Sequence, residues 1–350
     1  MSRTIIVSNR LPIKISNLDK SFEFSSTSGG LATGMKSIHK KNNFLWIGWP
    51  GIDKKSLGNN LAKAEKLLNK KNYIPVFLKK KEINDFYYGT SNEALWPLFH
   101  YFIEFSIFNK VHWNSYVNVN KKFADCVIKY AKKDDIIWVH DYQLLLCPRM
   151  IKTKRPDLTV GFFLHIPFPS FEIFRIFPWR EKLLEGILGS DLIGFHTYDY
   201  VRHFLSSVKR ILKYDVIFNK INVGSREVLV DTFPMGIDYA KYNDAARKKN
   251  KQKKSEMSDL RLQLKDHKKT SSDSKLILSI DRLDYTKGVI NRIKAFEIFL
   301  TNNPEYRGKV RLVMLTVPSR SDVDDYIKLK KQTDEIVGRV NGKFATVNWT

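Results

Sequence analysis

At 350 residues and 43% hydrophobic content, the chain is long enough for two domains with separate cores and too apolar to be disordered throughout. Its formal charge of +24 invites nucleic acid, but the basic residues are mostly lysine, are spread along the whole chain, and come with no RNP, zinc-finger or basic-zipper pattern. No apolar run reaches the roughly 18 residues of a membrane span, and Cys126 and Cys147 lack metal-ligand spacing, so the expectation is a cytoplasmic protein with neither nucleic-acid nor membrane partners.

Residues 4–8 (TIIVS) read as a β-branched strand. Pro12 cannot extend a central ladder, so Arg10 belongs at the strand's exit, the ligand end of a parallel sheet. In SGGLATGM, Gly29 and Gly30 precede a helical stretch and fit either a plain turn or a backbone approach to a phosphate. Residues 44–51 (FLWIGWPG) form another strand with a glycine/proline exit, and 63–71 a lysine-rich surface helix. The aromatic density of FYYGTSN and LWPLFHY suits a sugar-binding wall, because ring faces cover C–H faces, but it also suits plain core. Phe99 and Phe102 are assigned to core; Tyr87 and Trp96 stay open.

Two clean buried strands follow, 135–140 (DIIWVH) and 160–164 (VGFFL), with a helix over 143–154 completing a right-handed βαβ unit. They deliver Asp141 and His165 at equivalent exits, which favours a functional reading over two isolated structural residues. Helices over 180–188 and 199–212 flank a strand at 191–195. The strand at 227–233 runs into a turn over 234–238 that closes a first domain, residues 1–238. Residues 239–275 read as a polar, lysine-rich spacer with some helix at 260–264.

The second domain, 276–350, opens with LILSIDRLDYTKG, a strand, loop and helix whose apolar face continues through Val289, Ile293, Phe296 and Leu300. Arg282 and Lys287 then lie near a strand's carboxyl end and a helix N-terminus, where α/β proteins hold anions. Spacing alone does not separate a diphosphate grip from two solvated cations. A strand at 311–317 brings Arg320 to the same edge, and a charged helix covers 323–337. About 75 residues follow Lys275, fewer than a complete nucleotide-binding half, so this domain is expected to be truncated. An anionic ligand between two such halves is the simplest common cause for these strand-exit residues.

The ordered motifs SNR, SGGLATGM, WIGWPG, YYGTSNEALWPLFHY, VHDYQLLL, GFFLHIPFPSFEIFR, FPMGID, SIDRLDYTKG, VPSR and GRVNGKF closely resemble the trehalose-6-phosphate synthases of glycosyltransferase family 20, over nearly the whole chain apart from 241–275. The resemblance implies a GT-B fold: two Rossmann-like, doubly wound α/β domains facing a cleft, the second incomplete. It implies retaining transfer of glucose from UDP-glucose to glucose 6-phosphate, giving α,α-trehalose 6-phosphate and UDP. Arg10, Tyr87 and Arg320 would then hold the acceptor's phosphate, and Asp141 an acceptor hydroxyl. Trp96 and Ile166 would shape anomeric selectivity, and His165 would lie beside the reacting sugar. Gly29 and Gly30 would approach the donor diphosphate, with Arg282 and Lys287 on the departing phosphates; Asp141, His165, Arg282 and Lys287 form the implied catalytic set.

No DxD-type aspartate pair stands at a strand exit, so no metal or other cofactor is expected, and no carboxylate is placed as a glycosidase-type nucleophile. A homo-oligomer or a complex with a trehalose-phosphate phosphatase is the expected assembly. Tyr88 and Thr90 depart from the Asn and Phe usual in the family. The family's later donor-binding segment has no counterpart before Thr350, which implies poor turnover by this chain alone. A non-catalytic regulatory subunit or a glycogen-synthase-like transferase are the alternatives. The intact cations and Asp/His pair speak against the first, and Arg10 with Arg320 against the second.

Overall fold

A computed structural model describes residues 3–18, 21–26, 31, 44–250, 274–318, 324–346 and 349. The chain divides into two compact units, Met1–Ile237 and Asp238–Thr350.

Among the described residues, the first unit is built on a nine-stranded sheet. Strand β1 (Thr4–Arg10) pairs in parallel with β4 (Phe44–Trp49) on one side and β6 (Ile136–His140) on the other. From β4 the sheet continues to β5 (Tyr73–Pro75); from β6 it continues through β7 (Thr159–Phe163), β8 (Leu192–Phe195) and β11 (Arg226–Thr232), all parallel. Ile5, Ile6 and Val7 are wholly buried, as expected of a strand covered on both faces, and this is why β1 reads as an unbroken apolar run. The strand order reverses between β1 and β6. The carboxyl ends of those two strands, where Arg10 and Asp141 emerge, therefore flank the position at which open α/β sheets bind ligands.

Some elements differ from expectation. The polar stretch after Arg10 is a hairpin of β2 (Ile13–Leu18) and β3 (Ser21–Ser26), and the sheet ends in a short antiparallel edge, β9 (Val216–Ile217) and β10 (Lys220–Val223). The helix expected over 143–154 is split into a 3-10 turn, Tyr142–Leu144, and a helix, Cys147–Lys154, with Pro148 at its start. The aromatic segment is a π-helix, Ile83–Leu95, continuing into Trp96–Phe99. Such wide turns favour functional sites. Phe99 is fully buried and Phe102 partly so.

The helix Lys110–Tyr130 supports both segments. Asn109 caps it by accepting from the backbone N–H of Val111 at 2.7 Å and of His112 at 3.3 Å. Its buried face carries Trp113, Tyr116, Val119, Phe123 and Val127 at helical spacing. The Tyr116 hydroxyl donates to the Tyr142 carbonyl at 2.7 Å, and Asn120 both donates to Gln143 O at 3.0 Å and accepts from Leu146 N at 3.1 Å. These buried bonds fix the loop leaving β6. Gly89 faces this helix so closely that a methyl group there would run into the His112 ring.

In the second unit β12 (Lys275–Arg282) and β13 (Val310–Val317) pair in parallel from Lys275↔Val310 to Arg282↔Val317. The crossover helix Val289–Asn302 and the helix Asp324–Phe344 bury a core that includes Leu283, Val289, Ile293, Leu300, Val340 and Trp349. Part of the expected spacer is regular: Tyr239–Asn250 is a helix. The helix expected at 260–264 lies outside the described residues.

Candidate active site

Arg10 ends β1 opposite Trp49 of β4. Its guanidinium carbon lies 4.1 Å above the Trp49 ring centre and 5.4 Å from that of Tyr87, so two electron-rich faces hold the cation. Gly51, at φ 85°, lets the loop turn beneath: an added Cβ would sit 3.1 Å from an Arg10 terminal nitrogen and in a backbone region that side chains avoid. In the sequence Trp49 and Gly51 show only as part of the WPG exit from β4, which carries no sign of a partner for Arg10.

Tyr87 rides on the π-helix, where its carbonyl accepts from Asn92 Nδ2 at 2.7 Å; Asn92 Oδ1 in turn accepts from the Tyr142 hydroxyl at 2.9 Å. Trp96 is buried between His100, at 4.1 Å between ring centres, and Tyr142, at 5.6 Å. The aromatic segment is thereby tied to the loop that carries Asp141.

Asp141 adopts φ 74° and ψ 170°, a region nearly closed to residues with a Cβ, at a cost of about 1–3 kcal/mol. Its backbone N–H donates to Phe163 O at 2.8 Å, and its Oδ1 accepts from the His165 backbone N–H at 3.2 Å. The exits of β6 and β7 are thus joined through one residue with a strained backbone. Ile166, buried at 6% exposure, follows directly.

His165 belongs to a row of imidazoles. Its Nε2 lies 3.0 Å from Nδ1 of His140, and its ring centre 5.8 Å from that of His196. Burial first, and then the neighbouring His196, push the His165 pKa down to about 3. Burial and His165 hold His140 far below the ordinary histidine range, and burial lowers His196 against a hydrogen bond that its ring donates to the His165 backbone. All three are neutral at pH 7. An apolar cavity of about 350 Å³ adjoins His140 and His165, with Trp138, Phe163, Phe233 and Met235 among its other lining residues.

In the second unit Arg282 ends β12 and Lys287 closes the following 3-10 turn, Tyr285–Lys287. Both are exposed, and neither forms an ion pair among the described residues. The turn between them is built on Asp284, which has no exposed surface. Its carboxylate accepts from Thr286 N at 3.0 Å, the Thr286 hydroxyl at 2.9 Å and the Tyr326 hydroxyl at 3.2 Å. Gly288, at φ 62°, turns the chain into the helix Val289–Asn302. Arg292 braces the loop by donating to Lys287 O at 2.8 Å and pairing with Asp281 at 2.9 Å. Neither Asp284 nor Arg292 stands out in the sequence from the polar residues around it.

Arg10 and Tyr87 are thus brought together, as are Asp141 and His165, while Arg282 and Lys287 share one loop of the other unit. Gly29, Gly30 and Arg320 lie outside the described residues. Among the described residues no group of three or more His, Cys, Asp or Glu side chains could hold a metal ion, and no helix is long and apolar enough to cross a membrane.

Comparison with known proteins adds to this geometry. The model of glycosyltransferase family 20 matches residues 2–350. The UDP-forming α,α-trehalose-phosphate synthase of Candida albicans is 43% identical over 353 residues, covering 99% of this chain and 72% of that one. Among solved structures, a trehalose-6-phosphate protein from E. coli bound with UDP-2-fluoro glucose matches with TM-score 0.85 at 31% identity, covering 100% of this chain and 72% of the other. The UDP-forming α,α-trehalose-phosphate synthase of Burkholderia xenovorans in complex with glucose-6-phosphate matches with TM-score 0.82 at 28% identity, covering 99% and 73%.

Proposed function

The chain belongs to glycosyltransferase family 20, and from that premise we propose that it transfers glucose from UDP-glucose to glucose 6-phosphate with retention, forming α,α-trehalose 6-phosphate and UDP. The bond from the glucosyl anomeric carbon to the β-phosphate oxygen breaks, and the acceptor's anomeric oxygen takes its place on the same face. The acceptor's proton passes to the departing phosphate. Negative charge grows on UDP as that bond lengthens, so cations fixed at its phosphates stabilise the transition state more than the ground state.

The observation that carries the proposal is the Arg282–Lys287 loop: two cations without ion-pair partners among the described residues, on a turn held by a buried carboxylate. We assign these two to the donor diphosphate, with Gly29 and Gly30. Arg10 and Tyr87, with Arg320, are assigned to the acceptor phosphate, where a planar bidentate donor suits the anion. Asp141 accepts from an acceptor hydroxyl, Trp96 and Ile166 select the anomer, and His165 meets the donor sugar. The reaction is proposed to run without a metal, in the cytoplasm, in a homo-oligomer or beside a phosphatase that consumes the product.

Incubation with UDP-glucose and glucose 6-phosphate tests this reading. UDP release that requires glucose 6-phosphate, and is not sustained by an oligoglucan, is the expected result. A protein that binds neither substrate and releases no UDP contradicts it.

A further inference from the structure

Parallel pairing sets His140 of β6 opposite Phe163 of β7, and Phe163 opposite Gly194 of β8. With a period of two, His140, His165 and His196 therefore emerge on one face of the sheet at three neighbouring strand ends. His140 is 1% exposed, and the Trp138 ring lies against it with ring centres 4.5 Å apart. Its Nδ1 is 3.0 Å from His165 Nε2, whereas its Nε2 has no hydrogen-bond partner among the described residues. The adjoining cavity of about 350 Å³ has no ionisable lining residue besides these two.

Two neutral imidazoles in contact hold one proton between them, and it has two possible owners. If His165 donates from Nε2, His140 must carry its own proton on Nε2, a buried N–H with nothing to accept it. If His140 donates from Nδ1, its Nε2 keeps only a bare lone pair. Buried N–H groups without partners are the rarer of the two defects, so the second arrangement is favoured.

We propose that His140 is a positioning residue that donates from Nδ1 to Nε2 of His165 and holds His165 as the Nδ1–H tautomer, a neutral hydrogen-bond donor to the sugar assigned to it above. The consequence for the reaction is specific. With its lone pair already occupied, His165 orients the donor sugar and takes no proton from the acceptor, which leaves the departing phosphate as the proton's destination. His140 touches no substrate itself.

Histidine ¹⁵N labelling with long-range ¹H–¹⁵N correlation near neutral pH reads the tautomer in the substrate-free protein. The expected spectrum has His165 protonated at Nδ1. His140→Asn keeps an N–H donor where Nδ1 stood and is expected to retain both the tautomer and turnover. His140→Leu removes it, and is expected to release His165 to the other tautomer and lower kcat about 10-fold with KM for glucose 6-phosphate unchanged. His165 protonated at Nε2 in the unsubstituted protein, or equal losses in the Asn and Leu variants, overturns the proposal. The unsubstituted spectrum decides even where a variant fails to fold. An Nδ1–H tautomer in a protein that releases no UDP supports the dyad and contradicts the synthase reading instead.

Discussion

In the first unit Arg10 is clasped between Trp49 and Tyr87, and the residues around it are locked by buried hydrogen bonds running from Asn92 through Tyr142 to the helix Lys110–Tyr130. In the second unit Arg282 and Lys287 stand exposed, and only the turn beneath them is fixed, by Asp284. One cation is oriented by its side-chain neighbours; the other two are positioned by their backbone and make no ion pair among the described residues. A grip preformed by side-chain neighbours suits a ligand whose phosphate stays intact, while cations fixed through a braced turn suit a leaving group whose charge grows during the reaction. Substitutions in the two places should therefore fail differently.

The largest effect is expected at Arg282. If Arg282 is the proposed transition-state charge partner, Arg282→Ala should lower kcat roughly 10²-fold or more while leaving the folded state intact. Steady-state kinetics together with a denaturation curve check both halves, and near-normal turnover would remove the central role given to this residue. Asp284→Ala leaves the Tyr326 and Thr286 donors without their carboxylate and should destabilise the second unit by about 1–3 kcal/mol. Urea unfolding measures it, and an unchanged midpoint contradicts the idea that the turn is held from below. Trp49→Leu removes a cation–π contact worth about 0.5–2 kcal/mol and should raise KM for glucose 6-phosphate roughly 2- to 30-fold at nearly constant kcat. A loss confined to UDP-glucose would place Arg10 on the wrong substrate.

A further effect is a pH dependence of stability. His165 has its folded pKa pushed down to about 3 by burial and then by His196, and burial likewise depresses His140. The unfolded chain, with ordinary histidines near 6.5, binds more protons between these limits. Stability is therefore full above pH 6.5 and declines as pH falls through the window toward about 3. Melting temperatures between pH 7.5 and 5 should fall, and less so in His140→Asn; a flat profile contradicts neutral burial of the row.

Much of this arrangement is legible before any coordinates. The central parallel strands of the first unit appear as apolar runs because their faces are covered, and their polar exits name Arg10, Asp141 and His165; β12 shows the same run and names Arg282, although most of its residues are exposed. The hairpin β2–β3 and the edge β9–β10 are not legible, since strands of two to six residues alternate over too few positions to stand out from a loop. The π-helix escapes because its wider turns blur the 3.6-residue period that betrays an ordinary helix. Trp49 under Arg10, Gly51 beside it and His140 against His165 depend on strand register between distant segments, which no local pattern encodes. Asp284 reads as one polar residue in a polar loop until Tyr326, 42 positions away, is seen to bond to it.

The claim that each unit grips a different phosphate is met most directly by a crystal structure of the protein with UDP and glucose 6-phosphate both bound. The expected density has the UDP phosphates on Arg282 and Lys287 and the sugar phosphate on Arg10 and Tyr87. Both phosphate groups lying away from these four side chains would contradict it.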